Sequence, residues 1–300
     1  MVNETRTVGT VAALWRFPVK SMKGEQLHAA EMTERGTVGD RAYAVVDVET
    51  GKVASAKHPR KWGWLLECEA EFVEEPVAGA AAPAVRVAFP DGTIVRSDEP
   101  GIDDALSSRL GRAVTLTAAA PEHATLEELW PEIDGLAPSE FIEHTAIASA
   151  EDEESVSDIL MGLAAPEGTF YDLAVLHVLT TATLRTLAGH YPEGRFDVLR
   201  YRPNLLIESD DVGFVENDWP GLTLAIGGDV QVSVSIPTMR CVMTTLAQGD
   251  LPRDPELLRT IARHNRIEIT GLGEWACAGA YAGVTAPGPV RVGDRVTLRP

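Results

Sequence analysis

Residues 230–245, VQVSVSIPTMRCVMTT, hold the reading that decides the fold. Val230, Val232, Val234 and Ile236 alternate with Gln231, Ser233 and Ser235, the period of two that marks a half-buried strand. Pro237 has no N–H for a sheet ladder, so the strand is expected to stop there. Cys241 then falls on the connection leaving the sheet, where functional groups are commonly displayed. Arg240 beside it would favour the thiolate, the form that binds metals and attacks electrophiles. A lone cysteine is more often a buried packing residue; the adjoining arginine, the proline and Thr244–Thr245 set this one apart. Cys68, in the alternating LLECEAEF, and Cys277, among Ala and Trp, read as structural.

Working outward, more short strands follow. VGTVAALWRF (8–17) is one, with Val11, Ala13, Trp15 and Phe17 on one face, and RAYAVVD (41–47) is another, followed by a turn at Glu49–Gly51. VRVAF and TIVR flank Pro90-Asp91-Gly92 as a hairpin. A helix over about 102–110 ends at Gly111, and VTLTA (114–118) returns to strand. Downstream, 179–190 reads as a helix, NLLIE and LTLAI as strands, DPELLRTIARHN as a helix with Leu257, Leu258 and Ile261 inward, and VRVGDRVTL as a closing hairpin. Many short strands with few helices make the fold mostly β with α, and barrel-like. The acidic, Pro- and Gly-containing stretch 119–170 breaks the rhythm and reads as a long loop.

The 300 residues carry a formal charge of −19, which argues against a nucleic-acid partner. No apolar run approaches a membrane span and no leader pattern opens the chain. Three scattered cysteines fit a reducing cytoplasm better than a disulfide framework. The charge is unevenly spread. All five lysines lie between 20 and 61, whereas residues 113–184 contain fourteen Asp/Glu and no Lys or Arg. The first region suggests an anion site; the second, a mobile solvated loop or a docking face for a basic partner.

Zinc is disfavoured, because the seven histidines and three cysteines form no HxxxH or CxxC pair. Glycine-rich nucleotide motifs are absent. A Cys241 pair with His177 or His264 stays open, since such pairs meet only in space. FPVKSMKG (17–24) offers Lys20, Ser21, Lys23 and backbone N–H groups to an anion. In RYRPNLLIE (200–208), Pro203 makes Arg202 extended, so Arg202 and Asn204 should point the same way, a fork and an amide suited to a phosphate or a heterocycle edge.

Taken in order, VGTVAALWRFPVKSMKG, VGDRAYAVVD, RYRPNLLIE with GFVENDWPG, PTMRCVMTT and VRVGDRVTL resemble the MOSC-domain proteins, in particular the two-part type of the amidoxime reducing components and their bacterial relatives. The resemblance implies a MOSC β-barrel with a smaller inserted N-terminal MOSC-N domain. It places MOSC-N in 1–120, with its first strands joining the barrel, an acidic connection in 121–165 and MOSC in 166–300. It implies a molybdenum cofactor, Mo-molybdopterin, with Cys241 as the ligand to molybdenum and the catalytic residue. Lys20, Ser21, Arg41, Arg202, Asn204, Arg240 and Asp172 would bind the cofactor. The implied activity is that of an oxidoreductase that reduces the N–O bond of N-hydroxylated substrates. Its electrons would come from a separate protein of ferredoxin, flavodoxin or cytochrome b5 type. The alternative is a non-catalytic cofactor carrier or a sulfur-transfer accessory with a Cys241 persulfide. Leu173, Ala174 and His177 depart from the family's pattern.

Overall fold

The computed structural model describes residues 5–147 and 155–300; of the acidic run 151–158, residues 151–154 lie outside the described residues. Seven strands, numbered in chain order, close a barrel: β1 (Arg6–Arg16), β2 (Leu176–Thr180), β3 (Leu205–Glu208), β4 (Thr223–Ile226), β5 (Val230–Met239), β6 (Gly273–Ala286) and β7 (Arg295–Arg299). Their order is β2-β3-β1-β7-β4-β5-β6, and β6 pairs back onto β2. Every pairing is antiparallel except β2–β3, two strands joined by a crossover through the helix Thr181–His190, as parallel neighbours require. Val8, Val11, Leu14, Val178, Ile207, Leu224, Val230, Val232, Val234, Val296 and Leu298 fill the interior. The barrel fold anticipated from the strand pattern is therefore present, and β1, from the start of the chain, lies inside it between β3 and β7.

Three local readings are corrected. The β1 face is Val8, Val11 and Leu14, because bulges at Thr7/Gly9 and Val11/Ala13 shift the alternation. β5 runs through Pro237 to Met239, because the register slips around 234–239 and leaves positions where a missing N–H costs no ladder bond. VRVGDRVTL is not a hairpin: its first strand, Gly288–Arg291, pairs with Ala29–Thr33, while β7 pairs with β1 and β4.

Beyond β1 the chain builds a second lobe around Val19, Met22, Val45, Trp62, Leu65, Val85, Val87 and Leu106. The hairpin Val85–Ala88/Ile94–Arg96 and the helix Ile102–Leu110 stand where expected, and Gly111, at φ 66°, ends that helix. The acidic stretch is not a structureless loop. Thr125–Trp130, Ser155–Leu160 and Ala146–Ile147 form a three-stranded sheet, with a short helix over Ser139–Thr145. Its acids face the lysines. Lys52 meets Glu127 (3.3 Å) and Asp158 (2.9 Å), Lys57 meets Glu128 (2.9 Å), and Lys61 meets Glu127. Val53 N–H to Thr125 O (2.9 Å) and Leu129 N–H to Lys57 O (3.0 Å) add backbone bonds. The charge segregation along the sequence is thus partly an internal complementarity. Among the described residues no helix is long and apolar enough to cross a membrane.

Candidate functional site

Where β1 ends, the chain turns sharply. Phe17 N–H donates to Asp40 Oδ1 (2.8 Å) and Arg41 N–H donates to Phe17 O (2.7 Å), so the 17–24 and 39–43 segments are stitched together. Lys20 N–H joins them through Tyr43 O (2.9 Å). From the other side come the end of the short helix Val198–Tyr201 and the end of β5. Lys20, Ser21, Arg41, Asp172, Arg202, Arg240 and Cys241 all line one cavity between these elements. Asn204 does not line it. Its Oδ1 accepts from His177 N–H (3.2 Å) and its Nδ2 donates to Trp15 O (3.3 Å), tying β2 to β1.

Arg202 and Asn204 do not share a face. Arg202 is not extended but left-handed, φ 54° and ψ 47°, as the cap of Val198–Tyr201, with its N–H on Val198 O. This turns its guanidinium over the Phe17 ring, 4.1 Å from the centroid, and Arg41 approaches the same ring at 5.0 Å. Among the described residues four non-glycines have positive φ, and Ser21, Arg41 and Arg202 are three of them. Such strain gathers where a site imposes it.

Lys57 also lines the cavity, and sequence reasoning missed it. Asp172 serves three cations here. It pairs with Lys20 and with Lys57 (3.3 Å) and lies near Arg41. Burial opposes its charge, yet Lys20 and Lys57 hold its carboxyl well below the usual range. Burial also opposes the Lys57 ammonium, but Asp172 and Glu128 keep its pKa well above normal. Lys20 goes the other way: burial, with Lys57 and Arg41, outweighs its share of Asp172. Burial and then Arg41 lower Arg202 to about 9. Asp172 is the single carboxylate among lining residues that are otherwise rich in cations.

Cys241 lies two residues past the end of β5 and opens the turn Val242–Thr245, against Ala56, Leu66 and Met243. Burial raises its thiol more than Lys57 and Arg240 lower it, so Arg240 alone does not produce a thiolate. The turn is held by Arg200, whose guanidinium donates to Thr244 O (3.2 Å), Leu246 O (2.9 Å), Pro252 O (2.6 Å) and Arg195 O (3.0 Å). Cys68 and Cys277 are fully buried, with thiols pushed up to about 12 by burial. His264 lies outside the cavity, stacked on His190 at 3.8 Å. His177 lines it.

Several buried polar atoms in this wall lack any partner: His177 Nε2, Tyr201 Oη, Arg202 Nη2, Thr238 Oγ1 and Arg240 Nε. Buried polar groups are normally paired, so the cluster marks a place shaped for a polar ligand. The cavity has a volume of about 90 Å³, and it shares Arg202 with an adjoining groove of about 440 Å³. Among the described residues no three His, Cys, Asp or Glu side chains converge as a metal cage.

Known proteins resemble this chain over nearly its full length. The mitochondrial amidoxime-reducing component 1 of Mus musculus is 25% identical over 97% of this chain and 82% of its own, and that of Homo sapiens 24% over 97% and 83%. The solved YUAD protein from Bacillus subtilis aligns with 98% of this chain and 97% of its own, at 10% identity and a TM-score of 0.46. Residues 8–70 match the MOSC N-terminal beta barrel domain and residues 166–297 match the MOSC domain. The first match contains Lys20, Ser21 and Arg41 and the second contains Asp172, Arg202, Arg240 and Cys241, so the two walls of the cavity carry the two halves of one signature: the chain belongs to the MOSC-domain proteins.

Proposed function

We propose that this protein binds a molybdenum cofactor, Mo-molybdopterin, in the cavity between Cys241 and Arg202, and reduces N-hydroxylated substrates with electrons from a separate donor protein. The observation that carries the reading is the set of unpartnered buried polar atoms beside a single accessible cysteine. The donor set fits the group. A pterin phosphate and dithiolene are anionic, and Lys20, Arg41, Lys57, Arg202 and Arg240 face a single lining carboxylate, Asp172. One protein thiolate and no metal cage suit a metal whose other ligands arrive on an organic cofactor. Ligand sites of this size class span roughly 300–1,000 Å³, so the pterin would occupy the small cavity together with part of the adjoining groove.

Cys241 would supply the thiolate to molybdenum; binding a cation removes the thiol proton that burial otherwise retains. Arg202 and Arg41 would take the phosphate, with Arg202 Nη2 and the Phe17 ring fixing the fork. Ser21, whose Oγ accepts from Ala56 N–H (3.0 Å), keeps its hydroxyl proton for the ligand. Arg240 is anchored by Nη2 to Tyr201 O (3.2 Å) and leaves Nε for the pterin. Asp172 holds Lys20 and Lys57 in place, and Asn204 acts from behind by fixing His177. When bound, the cofactor supplies the electron pair, and N–O cleavage of an amidoxime takes two electrons and two protons to give amidine and water.

The test is molybdenum and pterin content of wild type and Cys241→Ala from a host that makes the cofactor, with benzamidoxime reduction driven by an artificial donor. Near-stoichiometric molybdenum with activity abolished in the variant is expected. A metal-free, folded wild type from such a host overturns the reading, and a persulfide on Cys241 would then mark a sulfur carrier.

A further inference from the structure

His177, which Asn204 fixes, has no ligand contact assigned in the account above. It lies on β2 with 6% exposure, in the wall of the cavity, and its Nε2 has no partner. Its place is enforced. The backbone N–H donates to Asn204 Oδ1 (3.2 Å) and its carbonyl accepts from Asn204 N–H (2.9 Å). Room for the ring comes from Gly279, at φ 85°, where a Cβ would stand 2.4 Å from Nε2. Gly279, which its φ and the approach of Val178 O (2.7 Å from a Cβ) also require, leaves room for the ring, and Nε2 keeps no hydrogen bond.

The ring has no pairing with Cys241, since an Nε2–Sγ hydrogen bond would have given Nε2 a partner. Burial, with Arg240 and Arg41, keeps it neutral. It therefore adds no charge to the cavity and does not serve as a phosphate counter-ion. Tyr281 lies beside it, ring centroids 6.2 Å apart, and the Tyr281 hydroxyl senses Lys57, Asp172, Arg240 and Cys241. His177 accordingly stands between Tyr281 and Arg240 on one side and Arg41 and the Arg202 backbone on the other.

We propose that His177 is a cofactor-binding residue whose Nε2 hydrogen-bonds the heterocycle of the pterin. The inference rests on the cofactor reading above. A neutral imidazole matches the uncharged edge of a pterin, as the guanidinium groups match its phosphate.

Wild type, His177→Gln and His177→Leu are purified loaded, and pterin release after dilution is followed by the fluorescence of its oxidised form. Release about tenfold faster is expected from His177→Leu, a change worth about 1.4 kcal/mol. His177→Gln, which places an amide near the Nε2 position, should stay within about threefold of wild type. Ligand-free His177→Leu should melt no lower than ligand-free wild type, because it removes an unsatisfied buried polar atom. Equal release from wild type and His177→Leu overturns the inference and leaves the cofactor reading intact. So does a ligand-free His177→Leu that is destabilised, since that marks a structural histidine. Wild type without pterin overturns the cofactor reading itself, and this inference with it.

Discussion

Replacing Arg200 by methionine tests how the turn carrying Cys241 is held. Arg200 is 1% exposed, yet its hydrogen-bonding partners are four carbonyls: Arg195, Thr244, Leu246 and Pro252. Three of these belong to the ten residues that follow Val242, and Thr244 N–H in turn reaches Cys241 O (3.3 Å). A hydrogen bond from a charged donor is worth roughly 1.5–3 kcal/mol. Four such bonds set a ceiling near 6–12 kcal/mol, but removing the guanidinium also relieves its burial cost, and methionine recovers about 2 kcal/mol of apolar burial. A net loss of about 4 kcal/mol is expected, which at roughly 2–4 °C per kcal/mol for a chain of this size lowers the melting temperature by about 10 °C. Arg200→Lys should recover less than half of that, because an ammonium cannot span four carbonyls in one plane. Calorimetry on the ligand-free protein gives the number. A methionine variant melting within 2 °C of wild type would refute the argument that this buried cation organises the turn.

Two further outcomes follow from the charges in the cavity. Inorganic phosphate should raise the melting temperature of the ligand-free protein, with a gain of about 2.7 kcal/mol at a hundredfold excess over its dissociation constant; Arg202→Met should abolish the gain, and no shift in wild type would mean the cavity is not an anion site. Asp172, whose pKa is depressed on folding below its ordinary 3.8, contributes stability that is complete above that pH and is lost as the pH falls below it. Asp172→Asn should therefore be less stable at neutral pH and show a flatter decline from pH 5 to pH 2 in urea titrations; parallel curves would show that Asp172 is not the coupled group.

The strands with clean alternation or a plain turn were readable without the fold. Val230–Ile236, the Pro90-Asp91-Gly92 hairpin and the helix stopped at Gly111 are set by local chemistry. What the sequence hid is non-local. At Gly9 a Cβ would lie 1.9 Å from Glu208 O, a contact that exists only once β3 is beside β1, and it sits within the bulge that shifts the inward face. Arg202 precedes a proline and by local rules should be extended; its left-handed turn is set by the cap bond to Val198 and the stacking on Phe17. Lys57 looked like one lysine in a cluster, because its partners Glu128 and Asp172 lie 71 and 115 residues away. The seven cavity-lining candidates were legible through several separated motifs in order, whereas Asn204's task, on the far side of the wall, required β2.

The cavity departs from the rest of the fold in two ways that reinforce each other. Left-handed backbone at Ser21, Arg41 and Arg202 costs of the order of 1–3 kcal/mol each, and unpaired buried donors on Arg202 and Arg240 add a comparable penalty. At Arg202 the cap bond to Val198 O and the stacking on Phe17 offset part of that cost. The left-handed turns bring three polar side chains to the cavity from separate segments, and at Arg202 the turn and the unpaired atom, Nη2, coincide. The surrounding structure over-determines them: Asp40 on Phe17 N–H, Ser21 Oγ on Ala56 N–H, and Val198 O on Arg202 N–H. A wall held against its own preferences in the absence of ligand has little reorganisation left to do when one binds. The stability missing from the ligand-free cavity should therefore return as affinity, read by phosphate melting shifts at Arg202 and by pterin release rates at His177.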